Sequence, residues 1–317
     1  SGPVFTPACT ISSFRASKMP NPADSNAAEP TRIWRFLDGK RGHEQQSLGL
    51  VDALARLRPV VVSDVAAGQS QPAPGDNAGP PRLLIGAGHA THRALCAAKR
   101  KTGARAIVLM RPSFGMHHFD LCVVPEHDGV APGANVLVTR GVLNPIVVST
   151  RHDPKRGLIL IGGPSRHHDW LEAEILDQID ALTSSDDTHW TISNSRRTPA
   201  TTNALLRNLN NPQIAFVDWS ETGSSWIVDA LGCNAQVWVS EDSVSMLYEA
   251  LTSGASVGVL AVPRRSYGRV VRGVATLIRA GCVTPFVLWQ SGKLPAPMQP
   301  PLAEAGRCAR WINDHWL

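Results

Sequence analysis

Asp38-Gly39-Lys40-Arg41-Gly42-His43-Glu44-Gln45-Gln46-Ser47 follows the apolar run Ile33-Trp34-Arg35-Phe36-Leu37. It precedes a stretch that carries Leu50, Val51, Leu54 and Leu57 on one helical face. The order is strand, glycine-bearing loop, helix. Such a turn aims backbone N–H groups and a helix N-terminus at whatever lies above the sheet edge. It also presents His43 there, where an imidazole can act as a base.

The same alternation runs outward from this loop. Further strands are predicted at Val60–Val65, Leu83–Ile85, Ala106–Met110 and Leu121–Val124, with a helix from about Thr91 to Lys101 that ends at Gly103. Gln69–Pro81 is rich in Pro and Gly and reads as a loop. The apolar pattern breaks over Ser149–Arg156 and then restarts, which places a domain junction there. Beyond it, strands are predicted at Leu158–Ile161, Trp190–Ser193, Ile214–Val217, Gln236–Val239 and Val257–Leu260. Helices are predicted near Asp169–Leu182, after Pro199, at Ser243–Ser253 before Gly254, at Val270–Arg279 before Gly281, and over residues 302–314. Two runs of strand and helix imply two α/β domains, each a Rossmann-like parallel sheet covered on both faces. The expected division is a disordered tail (1–30), a first domain (31–150), a second domain (151–300) and a final helix (301–317) that returns to the first domain. Ligands of such sheets bind outside the carboxyl ends of the strands.

Composition narrows the function classes. The 317 residues are 43% hydrophobic and 18% charged, and the formal net charge is +5. That excess is modest and spread out, so nucleic acid is not expected as a partner; anionic ligands or an anionic membrane surface suit it. The six cysteines contain no CxxC pair, which points to reduced thiols and a cytoplasmic protein. No apolar run approaches the roughly 18–20 residues that span a bilayer. In the tail, Arg15 and Lys18 precede any acidic residue, a faint likeness to a transit peptide beside the plainer reading of a disordered segment.

The loops at the predicted strand ends hold the unusual residues. In Ser240-Glu241-Asp242-Ser243-Val244-Ser245-Met246-Leu247-Tyr248-Glu249, helical spacing puts Asp242, Ser245 and Glu249 on one face. Asp242 or Ser243 can cap the helix, the hydroxyls and free N–H groups suit a phosphate, and Glu249 suits ribose hydroxyls. An ordinary capped helix with a solvated Glu249 fits the same residues. The paired arginines of Ser195-Arg196-Arg197-Thr198-Pro199 match a diphosphate by charge and forked geometry, or form a solvated basic turn. Gly162-Gly163 lets backbone approach a ligand closely. Gly86-Ala87-Gly88-His89 is half a dinucleotide fingerprint, but Thr91 stands where the third glycine belongs, so a Rossmann cofactor site is not expected. The adjacent pairs His117-His118 and His167-His168 lack metal-ligand spacing, and no metal is expected.

Taken together, Asp38-Gly39-Lys40, Gly42-His43, Gln46-Ser47, Gly162-Gly163, the Ser195–Pro199 run and Ser240-Glu241-Asp242-Ser243 with Ser245-Met246 and Glu249 resemble the mitochondrial-fission elongated-mitochondria protein family. Its bacterial branch looks like GT-B glycosyltransferases, notably the enzyme that adds N-acetylglucosamine to a lipid-linked peptidoglycan precursor. There a glycine-rich loop ending in Gly-His follows the first strand, as Gly42-His43 does here. There a Glu five residues before a Gly binds the donor ribose, as Glu249 stands before Gly254. The sequence departs at Asp38-Gly39-Lys40-Arg41, where that enzyme is richer in glycine.

The resemblance implies a metal-independent transferase that uses a nucleotide diphosphate sugar and no cofactor. Gly162, Gly163, Ser195, Arg196, Arg197, Glu241, Asp242, Ser243, Ser245, Met246 and Glu249 would form the donor side. Asp38, Lys40, Gly42, His43, Gln46, Gly88 and His89 would form the acceptor side, with His43 catalytic. The acceptor would be a lipid-linked or other envelope glycan, met at the inner face of a membrane. The alternatives are a nucleotide-sugar 2-epimerase and a non-catalytic GT-B scaffold for membrane remodelling or fission.

Overall fold

The computed structural model describes residues 29–73, 79–223, 225–266 and 268–317. The tail reading for residues 1–30 therefore lies, up to residue 28, outside the described residues. In chain order the first sheet and its helices are β1 (Thr31–Phe36), α1 (Arg41–Ala55), β2 (Val60–Val65), β3 (Leu83–Ala87), α2 (His92–Thr102), β4 (Arg105–Leu109), β5 (Leu121–Pro125) and β6 (Val136–Thr139). The second set is β7 (Asp153–Leu160), α3 (Glu172–Thr183), β8 (His189–Ser193), α4 (Ala200–Arg207), β9 (Ile214–Val217), α5 (Trp226–Cys233), β10 (Asn234–Ser240), α6 (Val244–Ser253), β11 (Ser256–Leu260), α7 (Arg269–Arg279), β12 (Thr284–Pro285) and α8 (Phe286–Gln290). A last helix, α9, spans Glu304–Trp316.

Each sheet has six parallel strands, in the orders β2-β1-β3-β4-β5-β6 and β12-β11-β10-β7-β8-β9. The near-continuous apolar runs are the reason, since both faces of every central strand are buried. In the first sheet Ile33, Ile85, Ile107 and Val123 point to one core and Trp34, Leu84, Val108 and Cys122 to the other. In the second, Leu158, Val237 and Val257 oppose Ile159, Trp238 and Leu260. Helix α9 closes the first domain: its Cys308, Ala309 and Ile312 join Ile33, Leu50 and Leu54.

Several elements depart from the pattern read in the sequence. Strand β7 starts at Asp153, inside the stretch assigned to the junction, because its first four residues extend beyond the core and carry no apolar signal. Strand β6 has four residues, three of them half-exposed. Helices α5 and α8 have eight and five residues, too short to show a helical period. The connection itself is packed: Leu143 belongs to the first core and Ile146 to the second.

Strand order decides where a ligand can bind. In the first sheet the chain steps from β1 to β2 on one side, then to β3 on the other. The crevice at this switch opens above the carboxyl ends of β1 and β3. Those ends lead into Asp38–His43 and Gly88-His89. In the second sheet the switch falls between β7 and β10, whose carboxyl ends lead into Gly162-Gly163 and Glu241-Asp242-Ser243.

Candidate functional site

The first half-site is built around a buried carboxylate. Asp38 Oδ2 lies 2.7 Å from His43 Nδ1, with the Asp38 side chain 1% exposed and that of His43 22% exposed. Asp38 Oδ1 accepts the Lys40 N–H at 3.1 Å, and Glu44 Oε1 accepts the Gly39 N–H at 3.1 Å. These bonds close the loop into the first turn of α1. Gly88, at φ +84°, faces the pair so closely that any Cβ there would strike the His43 ring and the Asp38 carboxylate. Only glycine satisfies both the angle and the approach. Gln46 donates from Nε2 to Gly42 O at 3.3 Å and to Met110 Sδ at 3.4 Å. Asp38, Gly42, His43, Gln46 and Gly88 are thus brought together. The Lys40 and His89 side chains are exposed at the rim.

The second half-site is tied largely to itself. Gly162 N–H donates to Ser240 Oγ at 2.7 Å, and Gly163 N–H donates to Asp242 Oδ2 at 3.0 Å. Arg197 donates from Nη2 to that same Oδ2 at 2.7 Å and from Nη1 to Gly163 O at 2.9 Å. Ser195 Oγ donates to Gly162 O at 3.0 Å. A Cβ at Gly162 would meet the Asp242 carboxylate, and one at Gly163 the Arg197 backbone. Glu241 is paired with Arg264, whose Nε donates at 2.6 Å. Glu241 and Asp242 are both buried. Asp242 Oδ2, Gly163 N–H and Arg197 therefore bond to one another, while the buried Asp242 Oδ1 has no hydrogen-bond partner.

The expected side-chain cap is absent from α6. Ser243 occupies the N-cap position, but its hydroxyl accepts no capping bond, and Asp242 is committed to Gly163 and Arg197. The first-turn N–H groups of α6 have no intrahelical partners. Ser245 is exposed there and Met246 half-buried. Arg196 is exposed and has no ion pair among the described residues.

Helix α6 also meets the first domain. Burial pushes the Glu249 carboxyl up to about 7, while the Arg41 guanidinium of α1 pulls the other way. Tyr248 is buried with its ring against Gly141. Asn144 Nδ2 donates to Thr252 Oγ1 at 3.1 Å, both residues buried, and Gly49 of α1 lies against the Asn144 backbone. Across this joint Arg41, two residues before His43, acts on the charge of Glu249 in α6. Gly141, Asn144, Tyr248 and Thr252 were not singled out in the sequence. Gly141-Val142-Leu143-Asn144-Pro145 has no period and reads like any connecting loop. Among the described residues no group of three His, Cys, Asp or Glu side chains is placed to hold a metal ion.

The family model described as mitochondrial fission ELM1 matches residues 41–316, which include every residue of the two half-sites except Asp38, Gly39 and Lys40. The chain belongs to the mitochondrial fission ELM1 family. Its fold recurs in solved structures of similar size. A UDP-GlcNAc 2-epimerase from Neisseria meningitidis bound to UDP-GlcNAc has a TM-score of 0.52 at 13% identity, over 90% of this chain and 98% of that one. The glycosyltransferase of kitacinnamycin gives 0.51 at 13% identity, over 92% and 100%. The calicheamicin glycosyltransferase CalG4 gives 0.50 at 12% identity, over 90% and 98%. This ELM1-family chain therefore has a GT-B-type architecture. No curated protein sequence matches it. No helix among its described residues is long and apolar enough to cross a membrane.

Proposed function

We propose that this ELM1-family protein transfers a sugar from a nucleotide diphosphate donor to an acceptor hydroxyl. The observation that carries the reading is the buried Asp38–His43 pair at the carboxyl end of β1, matched in the second domain by the uncapped N-terminal turn of α6 after the carboxyl end of β10. With its proton on Nδ1, held by Asp38, His43 keeps the Nε2 lone pair for the acceptor hydroxyl. The acceptor oxygen then bonds to the sugar's anomeric carbon as the bond from that carbon to the diphosphate breaks. The hydroxyl proton goes to His43, and the leaving charge faces Arg196, Ser243, Ser245 and the first-turn N–H groups of α6. Gly162, Gly163, Arg197 and Asp242 shape the floor beneath the diphosphate, and Glu241 with Arg264 holds the loop beside it. Met246 packs behind that turn. Glu249 receives the ribose hydroxyls. An envelope glycan or a lipid-linked acceptor at a membrane surface suits the net charge of +5.

The test is a thermal-shift panel of UDP, GDP, CMP and ADP sugars, followed by an assay for nucleotide release with and without acceptor glycans. A binder at 100 times its Kd stabilises the fold by about 2.7 kcal/mol. Glu249→Ala and Arg196→Ala are expected to abolish the shift. A wild-type protein that no nucleotide stabilises is a scaffold and not a transferase. Donor isomerised without any acceptor would assign the epimerase reaction instead.

Glu249 also sets a pH dependence. Its folded-state pKa of about 7 lies above that of an ordinary glutamate, so the folded protein without nucleotide loses stability as pH rises towards 7. Ribose hydroxyls donate to the ionised carboxylate, so binding selects the deprotonated form. Nucleotide affinity is expected to be about tenfold weaker at pH 6 than at pH 8. Glu249→Gln should flatten that slope. A flat titration of the wild type removes Glu249 from the ribose.

A further inference from the structure

The loop after β4 stands beside the Asp38–His43 pair and has no role in the donor reading. Met110 is the one non-glycine residue with positive φ among the described residues, at +71°. Such a conformation is unfavourable for an L-residue and has to be held by its surroundings. Two contacts hold it: Met110 N–H donates to Val123 O at 2.8 Å, and Met110 Sδ accepts from Gln46, one turn along α1 from His43. The turn leads into residues 111–115, where Ser113 and Phe114 lie against His92 at the start of α2.

There Phe114 is fixed without being covered. Its ring is 38% exposed. It meets His92 edge-on at 5.5 Å, His118 edge-on at 5.4 Å and Phe119 at 5.6 Å. His92 is 1% exposed, and its Nδ1 lies 3.2 Å from the Ser113 hydroxyl. Burial lowers the His92 pKa to about 4, so the ring behind Phe114 is neutral at physiological pH. Ser113, His117 and His118 stand exposed beside this aromatic cluster. An apolar face rimmed by hydroxyl and imidazole groups does not match a lipid tail, which meets apolar groups on every side. It matches a sugar ring, which has an apolar C–H face and a hydroxyl edge.

We propose that Phe114 is the stacking platform for a sugar ring of the acceptor, on the first-domain wall of the cleft. The acceptor is then a glycan or glycoconjugate and not a simple alcohol or a protein side chain. The inference rests on the transferase reading of the same cleft.

Saturation-transfer NMR with the methyl β-glycosides of glucose, galactose and N-acetylglucosamine tests it in the full chain. At least one glycoside is expected to bind wild-type protein, with saturation concentrated on the C–H protons of one ring face. Phe114→Ala should raise its Kd about tenfold, and Phe114→Trp should retain it. Phe114 is exposed, so an unchanged melting temperature for Phe114→Ala excludes misfolding as the cause. No saturation with any of the three, or saturation equal in wild type and Phe114→Ala, overturns the proposal. So does a Phe114→Ala variant that loses binding to anionic vesicles while its glycoside saturation is unchanged. Nucleotide-induced thermal shifts, measured on the same samples, separate this failure from failure of the donor site.

Discussion

Asp38→Asn is expected to slow sugar transfer about 10³-fold while nucleotide affinity stays unchanged. The two oxygens of one carboxylate have different partners. Oδ1 accepts the Lys40 N–H at 3.1 Å, and Oδ2 sits 2.7 Å from His43 Nδ1. An asparagine in this place keeps its oxygen on Lys40 N–H, since an amide NH2 there would oppose a second donor. Its NH2 then faces Nδ1 and requires that nitrogen to accept. The imidazole proton moves to Nε2, which no longer has a lone pair for the acceptor hydroxyl. Geometry is retained and the tautomer is wrong. Gly88 leaves no room for relief, because the pair is packed against its backbone. The nucleotide contacts proposed above lie in the second domain and should not feel the change. The variant's single-turnover rate and its nucleotide Kd, measured together, decide the matter. A rate within threefold of wild type would remove His43 as the base. A parallel loss of nucleotide affinity would make Asp38 a structural residue instead.

The parts of this site that were legible in the sequence are those that parallel-sheet topology places by rule. Strands that are apolar on both faces could be read as runs, and the residues just after them fall at carboxyl ends. Asp38–His43, Gly88, Gly162-Gly163, Arg196 and the Glu241–Ser243 loop were therefore visible as loop residues before any coordinates. What those side chains touch was not. Asp242 reads equally well as a helix cap or a phosphate neighbour, and only the approach of Gly163 and Arg197 shows it buried beneath the loop. The charge on Glu249 depends first on its burial and then on Arg41 of α1 in the other domain, and no local spacing encodes either. The joint between domains was missed for the same reason. Gly141, Asn144, Tyr248 and Thr252 acquire meaning only through one another.

That joint supports the second large effect. Gly141→Ala is expected to destabilise the protein by about 3 kcal/mol and to weaken nucleotide binding from a position outside the ligand site. Two costs add. Gly141 has φ +106°, a conformation that an L-residue enters at about 1–2 kcal/mol. Its Cβ would also drive into the Tyr248 ring, and overpacking a filled site costs about 1–3 kcal/mol. Neither side can yield cheaply. Thr139 Oγ1 donates to Gly141 O at 2.6 Å, and Arg140 N–H donates to Glu304 at 3.1 Å, so the loop is pinned on both flanks of the new methyl group. Tyr248 is 2% exposed and precedes Glu249 on α6, so moving its ring shifts the carboxylate proposed to hold the ribose. Gly281→Ala is the control, since Gly281 also has positive φ, at +68°, but nothing within 4 Å of its Cβ position. It should cost only the backbone strain, about 1–2 kcal/mol, and leave nucleotide affinity intact. A double-mutant cycle isolates the collision: in a Tyr248→Ala background, Gly141→Ala should cost no more than Gly281→Ala does. Equal costs in both backgrounds would mean that the ring and the glycine do not determine each other, and the domains would then be set by Asn144 and Thr252 alone.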